Sequence, residues 1–120
     1  MSAKPEFTSR FEIDEHTRIC VVSLTGNLDP AAVEDLHPQI QELVQAGFRK
    51  YVFDFSRLNH IGSLGLRLLV GLTNQVKEDG AVVLCSISTA MRSVIEITKV
   101  DQVLRVYPSR HAAVDAVKSR

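Results

Sequence analysis

The chain has 120 residues, a length that suits one domain around one core. Hydrophobic residues make up 45% of it, an ordinary globular share that argues against an intrinsically disordered chain. Lys plus Arg and Asp plus Glu each total 14, with no basic cluster, so neither nucleic acid nor an anionic membrane surface is an expected partner.

Residues 1–6 are polar and lack the apolar stretch of a secretory signal, and no apolar run reaches the length of a membrane span. The expected location is therefore the cytoplasm. Residues 7–14 read as a strand, followed by a polar turn at Glu15-His16-Thr17 and a return strand over residues 18–24 rich in β-branched side chains. Thr25-Gly26-Asn27 breaks that pattern. Asp29-Pro30 reads as an N-cap followed by proline at the first helical position. Val33, Leu36, Ile40, Leu43 and Val44 then recur at helical spacing, and Gly47 is the expected stop.

Residues 50–55 form the next strand, apolar on both faces except for Asp54. After a turn, Ser63 opens a second helix with Leu66, Leu69, Val70, Leu72 and Val76 on its inner side, ended by Gly80. Residues 81–86 make another buried strand. Ser88 or Thr89 caps a third helix carrying Met91, Val94 and Ile95. A short strand over residues 103–107 precedes a last helix from Pro108-Ser109, with Ala112, Ala113, Ala116 and Val117 as its apolar positions. The order β-β-α-β-α-β-α-β-α predicts an α/β fold: a mixed, mostly parallel sheet with an N-terminal antiparallel hairpin, packed with about four helices.

Cys20 and Cys85 lie inside apolar strands, where cysteine behaves as a small hydrophobe. No zinc spacing exists, and neither a metal nor a cofactor is expected.

Ser63 is the residue that stands out chemically. It sits where a strand hands over to a helix, between Gly62 and Gly65. Its plainest role is a cap or first-turn serine; the two glycines serve either close packing or close approach by another protein. A nucleophile elbow needs glycine where Ile61 stands, and a hydrolase needs a later acid and histidine. The later histidine is His111 in the last helix, and His60 has no evident group to orient it, so a small serine hydrolase is a distant third reading. No Lys-Ser or Lys-Thr follows the glycines, so this is not a Walker motif.

Val52-Phe53-Asp54-Phe55-Ser56 followed by Ile61-Gly62-Ser63-Leu64-Gly65-Leu66-Arg67 resembles the signature of the STAS domain, in particular that of the bacterial anti-sigma factor antagonists. Leu24-Thr25-Gly26-Asn27-Leu28-Asp29 is similar to the family's L-x-G-E-L-D turn, with Asp29 on its acidic residue. Residues 81–88 followed by 91–97 give a third, looser match. The sequence departs from the pattern at Gly62, at Leu64 and at Asn27, where the family carries an acid or serine, a small residue and a glutamate.

The resemblance implies a STAS-type fold over residues 1–120, with its core at about residues 7–118, and no catalytic chemistry of its own. It implies an anti-sigma factor that is an ATP-binding serine kinase as partner, release of the sigma factor on docking, phosphorylation at Ser63, and reversal by a PP2C-type phosphatase. Asn27, Asp29, Asn59, His60, Gly62, Leu64, Gly65, Leu66 and Arg67 become the expected partner-binding residues. The alternative within the same fold is an unphosphorylated scaffold or adaptor subunit of a transport or signalling complex.

Overall fold

The computed structural model describes residues 7–119, and the polar residues 1–6 lie outside them. Five strands and four helices alternate along the chain in the expected order: β1 (Thr8–Asp14), β2 (Ile19–Leu28), α1 (Pro30–Gln45), β3 (Lys50–Ile61), α2 (Ser63–Val76), β4 (Ala81–Cys85), α3 (Thr89–Ile97), β5 (Arg105–Tyr107) and α4 (Arg110–Lys118). A single 3-10 turn, Val100–Gln102, stands between α3 and β5. The strands lie side by side in chain order; β1 runs antiparallel to β2 and every other pair is parallel. The mixed sheet with its N-terminal hairpin is thus the predicted one. No helix among the described residues is long and apolar enough to cross a membrane.

Alternation along β3 divides the interior in two. Tyr51, Phe53 and Phe55 join the larger core under α1, α2 and α3, together with Leu36, Ile40, Leu69, Leu72 and Ile95. Val52 points the other way, into a smaller core that Ala113 and Val117 of α4 close. Ala112 and Ala116, predicted among the apolar positions of α4, are only half-buried. Both cysteines are free and buried, and burial pushes their thiols up to about 11, which leaves them unreactive near neutral pH.

Three predicted boundaries need correction. β2 does not stop at Leu24, and β3 does not stop at Phe55; both continue to Leu28 and Ile61 as one paired ladder. Register shifts between Ser23 and Thr25 and between Gly26 and Asn27 interrupt the pleat, and Gly26 adopts φ 97 there. Buried and exposed residues beyond Phe55 consequently follow a three-residue rhythm, which hides a strand from any search for alternation. β5 begins at Arg105, because residues 100–102 coil into the 3-10 turn and Val103 stays exposed.

Candidate functional site

The site forms where β2 and β3 run out. Asn27 lies opposite His60 and Leu28 opposite Ile61. The Gly62 N–H donates to the Leu28 carbonyl at 3.2 Å, which keeps the two chains together for one residue more. Asp29 and Gly62 therefore leave the sheet side by side, and each is the residue from which a helix starts. Two helix N-termini, each the positive end of a dipole, open at the C-terminal ends of these two neighbouring strands.

The two starts are finished differently. Asp29 is extended, and its carboxylate accepts the Ala32 N–H at 2.9 Å, with Pro30 at the first helical position. Gly62 has the same extended backbone and no side chain to accept a bond, and the first turn of α2 holds no acid. Ser88 and Ser109 cap α3 and α4 through the Met91 and Ala112 N–H groups, both at 3.1 Å. Among the described residues α2 is thus the α-helix whose first turn has no side-chain cap.

Ser63 occupies the first helical position of α2 and is exposed. Its hydroxyl makes no hydrogen bond to a described residue. Among the described residues no base hydrogen-bonds to it, so none of them is placed to activate it as a nucleophile. His111 stands in α4, paired with Asp115 at 3.2 Å.

Most of the sequence-predicted residues come together around that hydroxyl. Asp29, Asn59, His60 and Arg67 are exposed, and Asn27 and Gly62 are half-exposed. Leu64, next to the hydroxyl, is 40% exposed, a large apolar side chain open to contact. Gly65 and Leu66 do not belong to this surface. Both are buried, and a Cβ on Gly65 would stand 2.9 Å from Ile61 Cγ1 and from Leu28 Cγ and Cδ2. Of the two roles open to this glycine, packing is the one the structure supports: it lets α2 start directly against the ends of β2 and β3.

One polar constellation has no counterpart among the residues singled out by the sequence motifs. Asp54 is 8% exposed on the α4 side of the sheet. One carboxylate oxygen accepts the Ser56 N–H at 2.9 Å, and the other accepts Arg110 Nε and Nη2 at 3.2 and 3.0 Å. Arg110 also donates to Glu12 at 2.8 Å and to the Ser23 hydroxyl at 2.7 Å. Burial alone raises the Asp54 carboxyl, but the Ser56 and Arg110 donors overcome it and hold the group below its ordinary value. The network pins α4 to β1, β2 and β3. The sequence signal was a lone carboxylate in an apolar strand, which calls for a cation without saying which.

The STAS domain family profile matches residues 10–113. A candidate anti-sigma factor antagonist of Bordetella bronchiseptica, BtrV, is 31% identical over 111 residues, covering 92% of this chain and 96% of that protein. The crystal structure of an anti-sigma factor antagonist from Mycobacterium paratuberculosis superposes with a TM-score of 0.83 at 27% identity, covering 98% of this chain and 99% of that one. SpoIIAA, a Bacillus cell fate determinant, shares the fold in its phosphorylated form, with a TM-score of 0.72 at 24% identity over 92% of this chain and 99% of that one.

Proposed function

This chain belongs to the STAS domain family, and on that premise we propose that it is an anti-sigma factor antagonist switched off by phosphorylation of Ser63. The observation that carries the reading is the exposed Ser63 hydroxyl at the first position of an uncapped helix, two residues past Ile61, where the paired ends of β2 and β3 stop. The names borne by the Bordetella and mycobacterial relatives support the antagonist role, and the existence of a phosphorylated form of SpoIIAA supports the switch.

In the unmodified state, Asn27, Asp29, Asn59, His60, Gly62, Leu64 and Arg67 meet an anti-sigma factor that is also an ATP-binding serine kinase. Docking releases the sigma factor. The kinase then transfers a phosphoryl group to Ser63, and a PP2C-type phosphatase removes it.

The physics favours a switch that acts on binding and spares the fold. A phosphoserine carries about −1.5 to −2 charges near neutral pH and three acceptor oxygens. Free N–H groups of the first turn of α2 and its dipole welcome that charge within the chain. A packed interface must instead strip the dianion of water, which costs several kcal/mol unless cations meet it. A penalty of about 3 kcal/mol weakens docking more than a hundredfold. Asp29, at the neighbouring helix start, adds like-charge repulsion to the phosphate and so deepens the negative charge of this face once Ser63 is modified.

Intact-mass measurement after incubation with the ATP-binding protein that co-purifies with the unmodified chain tests this reading. The expected result is one added phosphoryl group on the wild type and none on Ser63→Ala. Phosphorylation elsewhere, or a co-purifying transporter subunit with no ATP site, overturns it in favour of the scaffold role.

A further inference from the structure

A groove of about 430 Å³ runs between α1 and α2, starting beside Ser63. Val33 and Ile40 of α1 and Leu64, Leu68 and Leu72 of α2 make it apolar. A reciprocal amide pair, Gln41 to Gln75 and back at 2.9 and 3.0 Å, bridges α1 and α2 along its lining. No carboxylate lines it; besides the His37 imidazole of α1, its charged wall residue is Arg67, which has no partner among the described residues.

Gly71 of α2 also lines this groove. A glycine inside a helix costs about 1 kcal/mol relative to alanine, so it asks for a cause. Packing does not supply one: a Cβ at Gly71 would meet nothing within 4 Å. Gly65, by contrast, is forced by its neighbours. What the missing side chain at Gly71 achieves is room in the groove.

Resting on the reading of Ser63 as the switch, we infer that this groove seats an apolar side chain from a segment of the docking kinase, with Arg67 pairing to a carboxylate adjacent to that side chain. The apolar walls call for a leucine-like group, and the lone unpaired guanidinium on a carboxylate-free wall calls for an acid beside it. Leu64 belongs both to the groove and to the surface around Ser63, so one occupant touches both. The switch gains a second arm. Ser63 and Arg67 are four residues apart on one helix and lie on one face. A phosphate on Ser63 offers Arg67 an intrahelical partner and withdraws it from the incoming carboxylate.

Gly71→Leu projects into the groove from a position where a Cβ meets nothing within 4 Å, and a melting curve within a few degrees of the wild type's is the expected result. With the kinase that labels Ser63, Gly71→Leu and Arg67→Gln each lower kcat/KM by about tenfold through KM, and Arg67→Lys recovers part of the loss. As a probe independent of the kinase, 4-methylpentanoate shifts the amide resonances of Leu68 and Gly71 in the labelled full chain at millimolar concentration, and 4-methylpentylamine does not. Unchanged kinetics in Gly71→Leu overturn the groove while leaving the Ser63 switch standing. Binding of the acid with unchanged kinetics overturns it in favour of a small-molecule site. A kinase that never labels Ser63 defeats the switch instead, and equal shifts from acid and amine remove the role of Arg67.

Discussion

Ser63→Asp places a permanent negative charge at the first position of α2, and its effect on stability separates a binding switch from a folding switch. The helix start has no side-chain cap and no acid in its first turn, so the new carboxylate meets unfulfilled N–H groups. The dipole contributes about 0.3–1 kcal/mol at an exposed site. The Arg67 guanidinium four residues on adds about 0.2–0.5 kcal/mol. Asp29, at the neighbouring helix start, works against both by repulsion of similar size. The net effect lies between zero and about 1 kcal/mol of stabilisation, which for a chain of this length raises the melting temperature by no more than about 4 °C. Differential scanning calorimetry of wild type and variant at low salt reads this directly. A fall of more than a few degrees would refute the reasoning, because it would mean that the side chain at 63 supports the fold. High salt should erase most of any gain.

Gly65→Val should destabilise by more than about 2 kcal/mol in urea unfolding, since added methyl groups meet Ile61 and Leu28 at sub-contact distance in a packed layer. Asp29→Lys loses the Ala32 cap and should cost about 1–2 kcal/mol of stability. A titration of the partner at a temperature where the variant is fully folded should nonetheless show weaker docking, because the charge facing the partner has been reversed. Asp54→Asn leaves Arg110 without its most buried partner and should destabilise by about 2–4 kcal/mol. The same pair sets a pH window. The Asp54 carboxyl lies lower in the folded chain than in the unfolded one, so its stabilisation is present above about pH 4 and is lost as the pH falls further. Denaturant midpoints below pH 4 should therefore fall in the wild type, and the difference between wild type and Asp54→Asn should shrink there.

The regular elements were legible because their signals are local. Asp29-Pro30 announced α1 through a cap and a fixed proline φ, and the cap bond to Ala32 is present. Gly47 marked its end and takes φ 94 just past the last turn. Residues 50–55 announced β3 by continuous apolarity, which the two cores on either side of the sheet explain. The far halves of β2 and β3 were not legible. Their irregular register breaks the alternation by which a strand is recognised, and only their mutual pairing shows that they belong to the sheet. That pairing is also what sets Asp29 beside Gly62 and Ser63. Gly65 is open in sequence between close packing and partner contact, since nothing local reveals that Leu28, thirty-seven positions earlier, packs against it. Gly71 is not legible in sequence because an exposed helical glycine carries no pattern; its meaning depends on the groove that α1 forms opposite it. The Asp54–Arg110 clamp joins residues fifty-six positions apart, and a lone carboxylate names the need for a cation without identifying it.

The affinity of the purified kinase for the chain before and after stoichiometric phosphorylation of Ser63, measured by calorimetric titration alongside a melting curve of each form, bears most directly on the central claim. The account predicts that the phosphorylated chain binds more than about a hundredfold more weakly while its melting temperature stays within about 4 °C of the unmodified form. Equal affinities for the two forms, or weakened binding accompanied by loss of the folded state, would contradict it.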